Sequence, residues 1–200
     1  MYFTQNMEKN LKLVLASGSP RRREILSLFN KELEVIPSQI SELQHPDESP
    51  KDYVSRLAKD KAQDIAKTCF ESLVIGADTI VLYKNIVLGK PTCAKDAYRM
   101  LEMLSGNWHE VLTGVTVINT YTSQSVVDTC QTRVKFSTLT ANEIQWYIGT
   151  NEPFDKAGAY AIQAYGSVFI EEIQGNYLNV VGLPIPLLRQ LLKKVGSDLI

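Results

Sequence analysis

The 200-residue chain is short of cysteine and histidine, with three and two respectively, and it has no long apolar run. Each shortage removes a class of protein. Cys69, Cys93 and Cys130 are odd in number and widely spaced, which fits neither a disulfide framework nor a set of zinc ligands; buried free thiols in a reducing compartment are expected instead. His45 and His109 lack ligand spacing, a second argument against zinc. Without an apolar run of about 18 residues no helix is expected to span a membrane. Met1 to Lys12 lacks the apolar segment of a signal peptide, so a cytoplasmic protein is expected. Charge of one sign is missing too: 21 basic residues face 22 acidic ones, a net charge of -1. That balance offers no long-range capture of nucleic acid or of an anionic membrane, so any anion site has to be a local cluster. There is no repeat, no low-complexity segment and no GxxxxGK[ST] phosphate loop.

What is present is enough apolar material, 44% of the residues, for one sizeable core. Residues 1–10 read as a loose extension before a single domain over 11–200. Strands are expected at Lys12–Ala16, Leu33–Ile36, Leu73–Leu82, Val111–Ile118, Ser125–Phe136 and Ser167–Ile173, with a turn from Tyr83 leading into Val87-Leu88-Gly89. Ser19 with Pro20 opens a helix whose apolar stripe is Ile25, Leu26, Leu28 and Phe29. Ser49 with Asp52 resembles a capping box for a helix running to about Lys67, and Thr140 with Glu143 is another, for a helix ending near Gly149. Further helices are expected from about Ala94 to Leu104, closed by Gly106, and from Pro184 to Val195. Pro37–Ser49 reads as loop, and Asp155–Ile162 has no clear type. Helices alternate with strands, some joined by short turns, which predicts an α/β fold with a mixed sheet and flanking helices.

Four features do not suit a purely structural role. Arg21, Arg22 and Arg23 open a helix, where cations oppose the helix dipole while free N–H groups attract anions. On the 100° helical wheel Lys61 falls in the middle of the apolar face formed by Tyr53, Val54, Leu57, Ala58, Ala62 and Ile65, and a buried lysine needs an anionic partner. Asp78 interrupts LVIGADTIVL, and a carboxylate there needs a lysine, a metal or a catalytic role. Gly89-Lys90-Pro91 ends a short strand; if that strand forms a hairpin with the one before it, Lys90 and Asp78 can face one cleft. Glu42, in a polar loop, gains interest only from this company. Two acids suffice to hold Mg²⁺ or Mn²⁺ beside substrate phosphates, and the cations suit a triphosphate.

Seven ordered segments carry a resemblance over about Leu13 to Leu192: LASGSPRRREIL at 15–26, YVSRLAKDKA at 53–62, VIGADTIV at 74–81, LGKP at 88–91, MLEMLSGNWHEVLTGV at 100–115, DKAGAYAIQ at 155–163 and NVVGLP at 179–184. Together they resemble the Maf family of nucleoside triphosphate pyrophosphatases. The resemblance implies two lobes around a deep cleft, a shape similar to inosine triphosphate pyrophosphatases, and metal-dependent hydrolysis of a nucleoside triphosphate to monophosphate and pyrophosphate. It implies Asp78 as the base that activates water and Glu42 as the second acid at the metal. Arg21, Arg22, Lys61 and Lys90 would hold the triphosphate, with loop contacts from Ser17 and Ser19. Asp78-Thr79 and DKAGAYAIQ are similar to the subgroup that prefers dTTP and UTP over 7-methyl-GTP, with Arg21, Thr79 and Gln163 implied in substrate choice. A homodimer is also compatible with the resemblance. The chain departs from the family pattern at Ser41, where a second acid is common, and at Ala164, where glycine is usual.

Two other readings stay open. LASGSPRR is similar to the glycine-rich loop of sugar nucleotidyltransferases, although Pro20 replaces a loop glycine. A nucleotide-dependent regulator of septum formation without turnover is the second.

Overall fold

A computed structural model describes residues 11–29 and 31–200; the expected extension at 1–10 lies outside the described residues. Among them one seven-stranded mixed sheet organises the chain, in the order β2-β1-β3-β5-β6-β7 with β4 added to β3. The strands are β1 (Lys12–Leu15), β2 (Leu33–Val35), β3 (Ser72–Tyr83), β4 (Ile86–Leu88), β5 (Trp108–Asn119), β6 (Gln124–Phe136) and β7 (Ile170–Gln174). β1 runs parallel to both neighbours, and the pairs made by β3 with β4 and β5, β5 with β6, and β6 with β7 are antiparallel. The expected hairpin exists: Lys84 and Asn85, both at positive φ, close β3 onto β4 in the manner of a two-residue turn.

The helices are α1 (Pro20–Ser27), α2 (Pro50–Ala66), α3 (Ala94–Leu104), α4 (Ala141–Gly149), α5 (Tyr177–Val181) and α6 (Ile185–Lys194). Thr140 and Glu143 form the full reciprocal box at α4, whereas Ser49 accepts from the Asp52 N–H without the return bond. Asp52 spends its carboxylate on the Ser49 hydroxyl at 2.6 Å instead.

Alternation along β3 and β5 sorts side chains onto two faces. The even-numbered side of β3 packs on α2, through Val74 with Ala62 and Ile65, and through Ile80 with Val54. Contact there is close enough to require glycine. A Cβ on Gly76 would lie 2.1 Å from the Ala58 carbonyl oxygen, and one on Gly114 2.2 Å from that of Val54. The odd-numbered side carries two apolar clusters rather than one. Leu73, Ile75, Val115 and Val117 pack with α1 and α6 at one end; Val81, Tyr83 and Val111 pack with α3 and α4 at the other. These are the two lobes, strung along the same long strands.

Several expectations need correction. β7 starts at Ile170, because Ala164–Phe169 is wound into 3₁₀ turns. The type left open over 155–162 is also 3₁₀, in short turns at Glu152–Asp155 and Ala157–Ala159. α5 was not legible as a helix, being five residues long with two valines. Leu28 is 76% exposed, since α1 ends at Ser27 before the stripe completes its next turn. None of the three free cysteines is buried: Cys93 is exposed, and Cys69 and Cys130 are half-buried.

Two stability predictions follow from this framework. Ala164 has a φ of +53°, a conformation that costs a Cβ-bearing residue more than glycine. Ala164→Gly is expected to stabilise the fold by about 0.5–1 kcal/mol, read from the urea midpoint. Burial pushes the His109 imidazole down from its ordinary 6.5 to about 3. Its contribution is intact above pH 6.5 and is lost as pH falls towards 3, because the unfolded chain binds the proton first. Between pH 7 and pH 5 this amounts to about 2 kcal/mol, and His109→Gln is expected to reduce the pH dependence of the unfolding free energy by that amount.

Candidate functional site

The cleft lies where the outer edge of β3 is left open. β1 pairs with β3 as far as Leu15 opposite Ile75, and β4 rejoins it only at Leu88 opposite Val81. Between those contacts lie Gly76 to Ile80, and Asp78 and Thr79 sit at the middle of the gap. The opening is a cavity of about 700 Å³. It is lined by Ser17, Ser19, Arg21, Arg22, Glu42, Lys61, Asp78, Thr79, Lys90 and Gln163, so the ten residues to which the family resemblance gives a role reach the same place, while Arg23 does not.

Lys61 is the centre of the charged side. Its Nζ lies 2.6 Å from Asp78 Oδ1 and 2.6 Å from Glu42 Oε1, and the residue is only 8% exposed. The helical wheel placed it on the buried face of α2, and the close contact at Gly76 brings that face down onto Asp78. Glu42 comes from the loop after β2, which α2 itself holds. Tyr53 Oη donates to the Glu42 carbonyl at 2.6 Å, and Arg56 Nη2 donates to the Leu43 carbonyl at 3.0 Å. Arg56 also binds both oxygens of Glu48, at 2.7 and 2.9 Å, and its guanidinium holds the Glu48 carboxyl down at about 2. Burial raises the Glu42 carboxyl, but the Lys61 hydrogen bond and the charges of Lys61, Lys90 and Arg22 outweigh it and hold the group below its ordinary 4.5. Glu42 is therefore ionised at neutral pH.

Arg22 differs from the expectation of a free phosphate clamp. It is 8% exposed, and its guanidinium is engaged by the protein. Nε donates to the Gly182 carbonyl at 2.8 Å, Nη1 to Ser17 Oγ at 3.0 Å and to the Ala77 carbonyl at 2.9 Å, and Nη2 to Thr79 Oγ1 at 3.0 Å. Four of its five N–H donors are used in tying the β1–α1 loop, β3 and the end of α5 together. One N–H remains for a ligand. Ser17 Oγ accepts from Arg22 and, at 3.3 Å, from the Ser19 N–H, so its open valence is its own proton, suited to a phosphate oxygen. Ser19 occupies the N-cap position of α1 without a side-chain capping bond, which leaves its hydroxyl available in the cleft.

Two charged residues of the cleft were not anticipated. Lys156 and Asp155 both line it; they pair with each other, and Asp155 Oδ2 lies 3.9 Å from Arg21 Nη1. Their signal was present in DKAGAYAIQ, but a segment of 3₁₀ turns has no periodicity from which to assign a facing side. Arg21, Lys90 and Lys156 are the cations best placed to meet a polyphosphate, since Lys61 already faces two carboxylates and Arg22 is held internally.

The second oxygen of Asp78 and that of Glu42 have no hydrogen bond among the described residues. Two hard carboxylate oxygens facing one cleft are the donor type a Mg²⁺ or Mn²⁺ takes when substrate phosphates complete its shell. Among the described residues there is no group of three or more His, Cys, Asp or Glu side chains able to hold a metal alone. The residues thus fit an ion that arrives with its substrate rather than one caged by the protein. No helix among the described residues is long and apolar enough to cross a membrane.

Comparison with known proteins agrees in extent with this architecture. Residues 12–195 match the family model described as Maf-like protein. A dTTP/UTP pyrophosphatase of Clostridioides difficile is 48% identical over 190 residues, covering 94% of this chain and 96% of the relative. Proteins of the same name from Bacillus cytotoxicus and Syntrophus aciditrophicus are 48% and 44% identical; each alignment covers 93% of this chain, and it covers 96% and 91% of those relatives. Among solved structures, the Ham1 protein of Staphylococcus aureus aligns with a TM-score of 0.47 at 12% identity, covering 80% of this chain and 79% of that one.

Replacing Lys61 with Met leaves two carboxylates facing each other without their shared cation. It is expected to destabilise the protein by about 2–4 kcal/mol at pH 7, less for any water the open cleft admits. Adding Asp78→Asn to Lys61→Met is expected to recover most of that loss, a coupling that denaturant unfolding of the four variants of the cycle reads directly.

Proposed function

The chain belongs to the Maf-like protein family, and on that premise we propose that residues 11–200 form one enzymatic domain that hydrolyses dTTP and UTP to the monophosphate and pyrophosphate. The observation that carries the reading is the meeting of Glu42, Lys61 and Asp78 at the open edge of β3, with Arg21, Lys90 and Lys156 around the same cavity. The activity for which those relatives are named supports the substrate class. Free thiols and the absence of a membrane-crossing helix among the described residues suit a cytoplasmic enzyme.

In this reading the triphosphate lies along the cation-rich side of the cleft. Arg21, Lys90 and Lys156 bind its non-bridging oxygens, and Ser17 and Ser19 donate from the loop. Asp78 accepts a proton from the attacking water on one of the carboxylate lone pairs that Lys61 leaves open, while the Lys61 contact fixes the carboxylate's direction. Water oxygen bonds to the α-phosphorus as the bond from that phosphorus to the bridging oxygen breaks, and the electron pair leaves on pyrophosphate. Positive side chains already oriented before the reaction stabilise that developing charge. Glu42 and Asp78 would hold a divalent cation, Mg²⁺ or Mn²⁺, whose chemistry is to neutralise charge and polarise the phosphate oxygens.

Incubation with UTP or dTTP and Mg²⁺ or Mn²⁺, without any sugar phosphate, is expected to release pyrophosphate and monophosphate in equal amounts. Orthophosphate as the first product, or a requirement for a sugar-phosphate acceptor, would overturn the assignment. Asp78→Asn is expected to lower kcat by about a hundredfold or more with nucleotide binding retained, the range of a lost general base. Turnover within a few-fold of wild type would remove Asp78 from that role.

A further inference from the structure

The cleft has two unlike sides. Asp78 points to the α2 face of the sheet with Lys61 and Glu42, and Thr79, one residue on, points to the opposite face. There the cleft has an apolar part, Val111, Val180, Val181 and Ile162, with Gln163 beside it, and Arg22 reaches Thr79 from α1. A nucleoside suits that apolar part, and the cations Arg21, Lys90 and Lys156 around it suit a polyphosphate.

Thr79 is not free to present its hydroxyl in either sense. Its Oγ1 accepts from Arg22 Nη2 at 3.0 Å and lies 2.9 Å from Thr113 Oγ1. Thr113 is fully buried and lies directly opposite Thr79 in the β3–β5 ladder. Its own hydroxyl is 3.2 Å from the Asn179 carbonyl oxygen, a group that can only accept. If the single Thr113 proton goes to Asn179, Thr113 has to accept from Thr79, and the Thr79 proton then points into the protein. What Thr79 then shows to the cleft is a lone pair. The carbonyl that sets this direction is itself rigidly held. Asn179 is completely buried, its Nδ2 donates to the Val111 carbonyl at 2.9 Å and to Thr132 Oγ1 at 3.1 Å, and its main-chain oxygen also receives the Gly182 N–H at 3.1 Å.

We propose that Thr113 and Asn179 are positioning residues that make Thr79 an acceptor towards the nucleoside, and that the donor it meets is the imide N–H of uracil or thymine. The proposal rests on the pyrimidine triphosphate activity proposed above. Its chemical content is discrimination against cytosine, whose corresponding ring nitrogen carries a lone pair and would face the Thr79 lone pair without a proton between them. A ribose hydroxyl is the other donor a nucleoside could offer, and the two are separable.

The test compares kcat/KM for UTP, CTP and 3′-deoxy-UTP in wild type, Thr113→Val and Thr113→Ser. Valine keeps the shape of threonine and removes the acceptor, so the Thr79 proton is released to turn into the cleft. Thr113→Val is expected to narrow the UTP-to-CTP ratio about tenfold, by a rise for CTP together with a fall for UTP, and mainly through KM. Thr113→Ser, which keeps the hydroxyl, is expected to restore the wild-type ratio. Should Thr113→Val not fold, Thr113→Cys, a weak donor and acceptor, is expected to give an intermediate ratio. A ratio unchanged in a folded Thr113→Val or Thr113→Cys protein overturns the proposal. So does a change in which CTP and UTP fall together, the result of a merely structural role. A change confined to UTP against 3′-deoxy-UTP overturns the assignment to the base. Wild-type protein that releases no pyrophosphate from UTP is a failure of the proposed function instead, and it is seen before any variant is made.

Discussion

Lys61 bridging Asp78 and Glu42 is the interaction on which the arrangement of the cleft depends. A carboxylate in the middle of a central strand and an ammonium in the middle of an apolar helix face are each costly in isolation. Placed 2.6 Å apart they compensate each other, and the helix can pack flat on the sheet. Gly76 and Gly114 permit that approach, because any side chain there would run into the α2 backbone. The same lysine then reaches the loop carboxylate of Glu42, so one cation from the core orients two acids at the edge of solvent.

The second constraint is an open strand edge. β3 pairs with β1 at one end and β4 at the other, and between them its edge faces the cleft. Such a gap would expose backbone polar groups with no partner. Arg22 covers part of it, donating to the Ala77 carbonyl from a buried position. Binding chemistry and sheet completion are thus joined in one side chain. The gap also falls between the two apolar clusters on the odd-numbered face, where the polar chain Arg22, Thr79, Thr113 and Asn179 replaces apolar packing.

Much of this was legible along the chain. The wheel position of Lys61 and the isolation of Asp78 in an apolar strand announced that each needs a compensating partner, since neither is tolerable alone, but not that they are each other's partner. The hairpin that brings Lys90 to the same opening was legible from the short turn. Arg22 was legible as chemical but not as internal, because a run of three arginines looks uniform until a helix assigns each a direction: Arg22 turns inwards, Arg21 lines the cleft and Arg23 is exposed. Lys156, Thr113 and Asn179 were missed. The first sits in 3₁₀ turns without periodicity, and the other two are ordinary strand and helix residues whose role is set by partners 34 and 66 positions away.

The sequence by itself determined which residues are anomalous and where strands and helices run, since burial cost and periodicity act over a few neighbouring positions. Only the tertiary structure decided which anomalies compensate one another, which arginine is held inside, and which groups hold the Thr79 hydroxyl. Those outcomes depend on the distance and direction between groups far apart in the chain, and hydrogen bonds and ion pairs are made or lost over less than one ångström of approach between packed elements.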